Sequence, residues 1–256
     1  MSESSPGTAL ITGAAHRIGR AIALDLGRHG RAVALHYHRS DAAATALVRE
    51  IEAGGGRARA VAADLADEAE TSGLVARAAA ALGEVDCLIN NAAVFEPDTA
   101  ETATRESWDL HMETNLRAPF VLMQQMAGAL PEGRPGNIIN LLDERVWNLT
   151  PNFVSYTLSK VGLWALTRTM AMALAPAVRV NAIGPGAALP SARQSPEQFA
   201  RQVAATPLGR GTSPEEICAA VRFILAAPAL TGQMIALDGG KHLGWEHPAP
   251  DSVPFE

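Results

Sequence analysis

The sequence predicts a single α/β domain in which a doubly wound, seven-stranded parallel sheet is covered by helices on both faces. Seven short apolar runs alternate along the chain with segments in which apolar residues recur at helical spacing. The runs are nearly continuous, which is typical of strands buried on both faces of a parallel sheet. Alternating strands and helices require crossovers, and right-handed crossovers make the sheet doubly wound. With 256 residues, 48% of them hydrophobic, the chain can bury one large core.

The individual elements follow from these periodicities and from their capping residues. Strands are predicted at 8–12, 32–37, 58–63, 85–89, 137–142, 178–183 and 233–237. Helices are predicted at about 18–30, 41–52, 67–83, 105–130 and 153–175, with a last one starting at Ser213-Pro214, an N-cap followed by proline. The segment 185–207 is too long for a simple connection and indicates a substrate loop, and 244–256 form a proline-rich tail.

Composition narrows the classes of partner. The net charge of −6 and the lack of a basic block argue against nucleic acid or an anionic membrane. No apolar run approaches a membrane span, and the N-terminus lacks a secretory signal pattern, so we expect a cytoplasmic protein with a small-molecule substrate. Cys87 and Cys218 lie in apolar segments and read as core residues. The histidines show no metal-ligand spacing, so no metal site is predicted.

A glycine-containing turn links the first strand to the first helix. Gly13 and Gly19 enclose Arg17 and Ile18 in the stretch TGAAHRIG at 12–19. Glycine allows a tight turn and lets a pyrophosphate approach the N–H groups at the start of the helix. The alternative is that the turn needs glycine only for packing. Its position at the first strand–helix junction favours dinucleotide binding.

The end of the second strand indicates which dinucleotide is bound. A carboxylate there would hold the ribose diol of NAD, but the chain has Tyr37, His38, Arg39 and Ser40 instead. Arg39 and Ser40, with Arg17 from the neighbouring loop, can bind a 2′-phosphate, which favours NADP(H). The alternative is that these residues are only solvated. Asp64, at the end of the third strand, is placed either to meet the adenine edge or to cap a helix.

Tyr156 and Lys160 lie four residues apart on one face of a predicted helix. A phenol has a pKa near 10, and a nearby cation stabilises the phenolate and lowers that pKa toward neutrality. Asp143, thirteen residues before Tyr156, ends the fifth strand, where side chains face the ligand crevice. Alternatively, Asp143 caps the turn or pairs with Arg145. Trp147 follows Asp143 by one helical turn and could form a wall of the pocket.

Taken together, these motifs resemble the short-chain dehydrogenase/reductase family over essentially the whole chain. The resemblance implies a Rossmann sheet with Tyr156 as proton donor, Lys160 binding the nicotinamide ribose and tuning Tyr156, and Asn115 supporting a proton relay. It also implies a homotetramer. The matching segments are TGAAHRIG at 12–19, Asp64-Leu65, Asn90-Asn91-Ala92-Ala93, Asn115, Tyr156 with Lys160, and Gly184-Pro185-Gly186. Asn91 and Ala92 would line one side of the nicotinamide, and Pro185 and Gly186 the other.

Departures from the family pattern point to one branch. Most members have serine at Asp143 and glycine at Arg17, and the residues present here resemble the pteridine reductases, which include bacterial dihydromonapterin reductases. There the substrate ring stacks on an aromatic residue that occupies the position of Phe95. Phe95 could equally be a packing residue. Ala93 departs from this branch, which tends to have a hydroxyl there.

These observations lead to the hypothesis of an NADPH-dependent reductase of a dihydropterin. Tyr156 and Asp143 would supply the proton, and Arg17 and Phe95 would help hold the substrate ring. One alternative is a reductase of a ketone or 3-oxoacyl substrate in which Asp143 is structural. Another is a non-catalytic dinucleotide sensor, which would have no use for a proton relay.

Overall fold

The computed structural model describes residues 7–191 and 193–244, and within them seven strands form one parallel sheet in the order β3-β2-β1-β4-β5-β6-β7. The strands are β1 (Thr8–Ile11), β2 (Ala32–Tyr37), β3 (Arg57–Ala62), β4 (Val85–Asn90), β5 (Gly136–Leu141), β6 (Val178–Pro185) and β7 (Met234–Leu237). Every neighbouring pair is parallel. The predicted fold class and all seven strands are therefore confirmed.

Helices connect the strands, and two of the predicted long helices are divided. The α-helices are α1 (Arg17–Arg28), α2 (Asp41–Ala53), α3 (Glu68–Ser72), α4 (Leu74–Leu82), α5 (Arg105–Met112), α6 (Ala118–Ala129), α7 (Val154–Ala173), α8 (Pro196–Ala204) and α9 (Pro214–Ala226). The predicted helix 67–83 breaks at Gly73, since glycine is unfavourable within a helix. The predicted helix 105–130 contains a π-helical turn at Glu113–Arg117. Apolar periodicity does not reveal that turn.

The predicted loop 185–207 contains a helix. Ser195 caps α8 through the backbone N–H of Gln198, and the Gln198 side chain accepts the N–H of Ser195 in return. This capping box, with Pro196 as the first helical residue, is a sequence signal for a helix start that the loop prediction overlooked. The segment 185–207, predicted to be a substrate loop, therefore contains an amphipathic helix rather than only irregular chain.

Two apolar layers enclose the sheet. One face packs against α4, α6 and α7, with Leu74, Leu122 and Leu163 among its buried residues. The other face packs against α1, α2 and α9, where Ile22 and Val221 are buried. Helices on both faces leave the carboxyl ends of the strands as the open edge of the sheet. Because β1 lies between β2 and β4, the strand order reverses there and forms the crevice in which ligands of such sheets bind.

Two further predictions concern a membrane-spanning segment and the C-terminal tail. Among the described residues, no helix is both long and apolar enough to cross a membrane. The predicted tail falls almost entirely on residues 245–256, which lie outside the described residues. The last described element before the tail is a 3-10 turn at Lys241–Leu243.

Candidate active site

The turn after β1 has the close contacts that a dinucleotide-binding loop needs. Gly13 has a φ of +62°, and a Cβ on it would lie 3.0 Å from Cα of Ala92. A Cβ on Gly19 would lie 2.4 Å from the carbonyl oxygen of Gly13, so only glycine fits. Asn91 donates through Nδ2 to the carbonyl oxygen of Thr12 (2.9 Å), and the N–H of Ala92 donates to Oγ1 of Thr12 (3.0 Å). Glycine packing and these bonds hold the loop against the end of β4.

His36 is a site residue that the sequence reasoning missed. Its Nδ1 accepts the N–H of Gly13 at 3.0 Å, and its Nε2 lies 3.0 Å from the carbonyl oxygen of Ala63. The imidazole is therefore neutral with its proton on Nε2, and burial lowers its pKa to about 4. His36 alternates with Tyr37 along β2 and points inward, a signal that the strand periodicity contained. Through this hydrogen bond with Gly13, His36 fixes the backbone of the predicted phosphate loop from its buried side.

A pocket of about 480 Å³ lies beside the end of β2. Its lining includes Gly13, His16 and all four residues predicted for cofactor selection: Tyr37, His38, Arg39 and Ser40. The structure brings these four together at the rim of the phosphate loop. Their contact with a cofactor stays a prediction.

Asp64 and Leu65 differ in what they present to this region. Nε2 of His38 lies 3.5 Å from Oδ2 of Asp64, and Oδ1 of Asp64 accepts the N–H of Ala66. The residue that caps α3 is Asp67, so the alternative that Asp64 is the helix cap is wrong. The side chain of Leu65 is buried in the core, so only its backbone is available for the predicted cofactor contact.

Tyr156 and Asp143 form the centre of the site. The phenol of Tyr156 donates to Oδ2 of Asp143 at 3.0 Å, and Oδ1 of Asp143 accepts the N–H of Arg145 at 2.9 Å. Asp143 thus caps the 3-10 turn Glu144–Val146, as one alternative expected, but it forms no ion pair with Arg145. Lys160 donates through Nζ to the carbonyl oxygen of Leu141 at 2.8 Å.

Burial and charge set the protonation of this group. The pKa of the Tyr156 phenol is raised well above its usual value, first by burial and then by the negative charge of Asp143. Burial lowers the pKa of Lys160 to about 8, although Asp143 opposes that shift. In the ligand-free protein Tyr156 therefore holds its proton firmly. The sequence instead predicts that Lys160 lowers the pKa of Tyr156 toward neutrality. The difference arises because the phenol is buried beside a carboxylate.

Asn115 lies in the π-helical turn and is fully buried. Its Oδ1 accepts the N–H of Val94 at 2.8 Å, while its Nδ2 donates to the carbonyl oxygen of Val94 and to Oγ of Ser159. The turn therefore ties the segment after β4 to α7. These contacts position Phe95 relative to Tyr156, and the predicted part of Asn115 in a proton relay stays a prediction.

The pocket in front of Tyr156 has a volume of about 280 Å³. Phe95 stacks on Phe153 with ring centroids 4.4 Å apart and meets Tyr156 edge to face at 4.6 Å. Phe95 is thus both a packing residue and a wall of the pocket. The predicted site residues that line the pocket are Arg17, Ile18, Asn91, Phe95, Asp143, Tyr156, Lys160, Pro185 and Gly186.

Arg17 adopts a backbone conformation that glycine would adopt more easily, with a φ of +53°. Its guanidinium donates to the carbonyl oxygens of Pro190 (2.9 Å) and Leu189 (3.2 Å) in the segment 185–207. Arg17 lines the Tyr156 pocket and does not line the pocket that contains Arg39. Its predicted contacts with a 2′-phosphate and with substrate stay predictions.

The C-terminal turn reaches the back of the site. Nζ of Lys241 lies 2.7 Å from Oε1 of the buried Glu144. Trp147 packs against Trp164 and His242 and is 43% exposed, and it does not line the pocket that contains Tyr156. The expectation that Trp147 forms a wall of the pocket is therefore wrong, because the 3-10 turn directs it away.

The residues present fit a dinucleotide along the crevice from the β2 pocket to Tyr156. Gly186 is required by the packing of this edge, because a Cβ on it would lie 2.8 Å from Cα of Asp238, and its N–H donates to the carbonyl oxygen of Leu237; its predicted contact with the nicotinamide stays a prediction. A phosphate loop, a buried Tyr–Lys pair and a sheet crevice that connects them define a dinucleotide-dependent oxidoreductase.

Comparisons with known proteins agree with this class. The family model described as enoyl-(acyl carrier protein) reductase matches residues 13–242. The 3-oxoacyl-[acyl-carrier-protein] reductase of Synechocystis sp. is 33% identical, over 91% of this chain and 95% of that protein. This chain belongs to the short-chain dehydrogenase/reductase family.

Two solved structures are similar over most of the chain. The crystal structure of FolM alternative dihydrofolate reductase 1 from Brucella suis in complex with NADP is 46% identical, with a TM-score of 0.92, and the match covers 97% of this chain and 99% of that one. A blue fluorescent protein from a metagenomic library, in complex with NADPH, is 32% identical, with a TM-score of 0.84 and coverage of 91% and 97%.

Proposed function

We propose that this chain is an NADPH-dependent reductase of a C=N bond in a dihydropterin-type substrate. The observation that carries the proposal is the hydrogen bond from Tyr156 to Asp143. A carboxylate is a poor partner for a carbonyl oxygen that gains negative charge during reduction, because like charges repel. It is a good acceptor for the ring N–H groups of a pterin. The alternative dihydrofolate reductase of Brucella suis supports the same substrate class.

The residues of the chain have separate tasks in this reaction. When bound, NADPH supplies the hydride that adds to the carbon of the C=N bond. Tyr156 gives its phenolic proton to the ring nitrogen, and Asp143 orients the phenol and accepts an N–H of the substrate. Lys160 would hold the nicotinamide ribose near Tyr156 and stabilise the phenolate that is left. Phe95 would provide the face on which the ring lies, with Arg17 beside it.

The assignment of NADP(H) rests on the pocket beside β2. Arg39 and Ser40 supply a cation and a hydroxyl there, and the segment 36–40 has no carboxylate to hold a ribose diol. NADP and NADPH in the two similar structures support this choice. The backbone of the phosphate loop would receive the pyrophosphate at the start of α1.

A 3-oxoacyl substrate is the second candidate, because the Synechocystis relative is a 3-oxoacyl-[acyl-carrier-protein] reductase. The deciding experiment compares NADPH oxidation by the purified protein with dihydrobiopterin, dihydromonapterin and an acetoacetyl thioester. We expect turnover with at least one dihydropterin. Turnover with the thioester alone would overturn the proposal, and no turnover with any substrate would favour a dinucleotide sensor.

We further propose a homotetramer, as the family resemblance implies, and a cytoplasmic location, as the sequence pattern predicts. Exposed apolar side chains on α7 and α9, among them Met172 and Phe223, support two different contact faces. Analytical ultracentrifugation of the full chain tests the assembly, and a monomer at micromolar concentration would contradict it.

A further inference from the structure

Arg145 is a buried cation that lines the pocket in front of Tyr156. It is only 4% exposed. Within the described part of the chain its guanidinium has no ion pair and no hydrogen bond, and its Nη1 is enclosed without a partner. Its guanidinium carbon instead lies 4.8 Å from the ring centre of Phe153 and 5.3 Å from that of Phe95. The π faces hold the cation in place but leave its N–H groups free.

Such an arrangement is unfavourable for the ligand-free fold. A buried charge is normally paired, and a buried donor without an acceptor costs free energy. Arginine has five N–H donors and no acceptor. Another arginine near the same aromatic ring illustrates the usual solution: Arg193 lies 5.4 Å from the centre of Phe95 but is exposed and pairs with Glu96 at 3.3 Å. The cost at Arg145 is offset if a ligand brings the missing acceptor.

We propose that Arg145 is a specificity-determining residue that donates hydrogen bonds to an acceptor oxygen of the substrate. This inference deepens the proposed function and rests on it. Phe95 connects the two parts of the site, because it contacts both Tyr156 and the guanidinium. A substrate that reaches Tyr156 across Phe95 therefore comes within reach of Arg145, and the site selects for a group that accepts and against one that only donates.

A pterin substrate can offer such an oxygen from two places. One is the oxo group of the ring, and the other is a hydroxyl or carboxylate on the side chain. Three ligands separate them: a pterin with a methyl side chain, its diamino analogue in which an amino group replaces the ring oxo group, and folate, whose side chain carries carboxylates. Each is titrated calorimetrically into the full-length protein saturated with NADP⁺, so that binding is measured without turnover.

Arg145→Met is the informative variant. Methionine is unbranched, reaches about as far as Nε of arginine and makes favourable contacts with aromatic rings, but it removes every donor. Loss of a hydrogen bond to a charged group is expected to weaken binding by roughly 10- to 100-fold. If the ring oxo group is the acceptor, the variant binds methylpterin and folate more weakly than the wild type does, while its affinity for the diamino analogue is unchanged. If the acceptor is on the side chain, folate alone weakens.

Arg168→Met is the matched control, because Arg168 also lies over an aromatic ring, that of Trp164 at 5.8 Å, but does not line the pocket. It should leave all three affinities unchanged. Equal affinities of wild type and Arg145→Met for all three ligands would overturn the inference. Failure of every ligand to bind the wild-type complex would count against the proposed function instead.

The thermal stability of the ligand-free protein gives a second readout. If Arg145 serves a ligand, Arg145→Met removes a buried guanidinium that has no hydrogen-bonded partner among the described residues, and its melting temperature should equal or exceed that of the wild type. If Arg145 serves the fold through its contacts with Phe95 and Phe153, the melting temperature should fall. A fall together with unchanged ligand selectivity would establish a purely structural role.

Discussion

The phenol of Tyr156 and Oδ2 of Asp143 share one hydrogen bond of 3.0 Å, which joins α7 to the end of β5. The other oxygen of Asp143 accepts the N–H of Arg145, so the carboxylate is held from both sides. An ionised carboxylate only accepts hydrogen bonds, so the proton of the pair resides on Tyr156. A substrate nitrogen that must be protonated can take that proton, while a ring N–H can bond to Asp143. The pair thus has one donor and one acceptor for a nitrogen heterocycle.

Replacement of Asp143 by serine should change the substrate class. We expect Asp143→Ser to slow dihydropterin reduction by about 10²- to 10⁴-fold, because Tyr156 loses the carboxylate that orients its proton for transfer, while reduction of an acetoacetyl thioester is kept or gained. Steady-state NADPH oxidation with both substrates measures this. Asp143→Asn, which keeps the shape of the side chain without its charge, should lose dihydropterin reduction without gaining the ability to reduce the thioester. A dihydropterin rate within about twofold of wild type would mean that Asp143 only caps its turn.

Lys160 should make the stability of the protein depend on pH in the alkaline range. Its pKa is lowered from 10.5 to about 8, so between these values the unfolded chain binds more protons than the folded one. The free energy of unfolding should therefore gain up to about 3 kcal/mol from this residue as the pH rises through that window. The measurement is urea unfolding at a series of pH values for wild type and Lys160→Met.

The difference between these two proteins isolates the lysine, because burial also shifts the pKa of Cys87 and of Tyr156 in both of them. Wild type should gain stability relative to Lys160→Met as the pH rises. A constant difference across the window would show that Lys160 is not desolvated in the folded protein.

Arg39 should discriminate between the two dinucleotides. Removal of a charge-assisted contact with a 2′-phosphate is expected to weaken the binding of NADPH by about 10- to 100-fold and to change the binding of NADH little. Fluorescence titration of Arg39→Ala with each dinucleotide tests this, with the exposed Arg49→Ala on α2 as a control for loss of positive charge. Equal losses for both dinucleotides would place the 2′-phosphate elsewhere.

Local patterns were sufficient to predict the sheet and the residues of the crevice, because strand periodicity and glycine spacing are local properties. The π-helical turn at Asn115 depends on tertiary packing, and apolar periodicity runs through it without a change. The break at Gly73 has a local signal in the glycine itself, which apolar periodicity does not register. The protonation of Tyr156 was also beyond the sequence, since it depends on how deeply the phenol is buried. The free guanidinium of Arg145 could not be foreseen either. A lack of partners becomes visible only when all neighbours are placed.

His36 should couple acid stability to cofactor binding. Burial lowers its pKa from 6.5 to about 4, so the unfolded chain binds more protons than the folded one between these values. Its contribution to the free energy of unfolding, about 3 kcal/mol, should be lost as the pH falls through that window. Protonation at Nδ1 also removes the acceptor for the N–H of Gly13, so NADPH affinity should fall over the same range.

Two variants separate the charge of His36 from its hydrogen bonds. His36→Gln keeps a donor and an acceptor, whereas His36→Leu leaves the N–H of Gly13 and the carbonyl oxygen of Ala63 unpaired. Both should flatten the pH dependence of unfolding between about pH 4 and 6.5, because neither side chain titrates. NADPH affinity at neutral pH should decline more in His36→Leu than in His36→Gln, as measured by fluorescence titration. If both variants keep the acid slope of the wild type, another group is responsible for it, and His36 would then hold the phosphate loop without sensing pH.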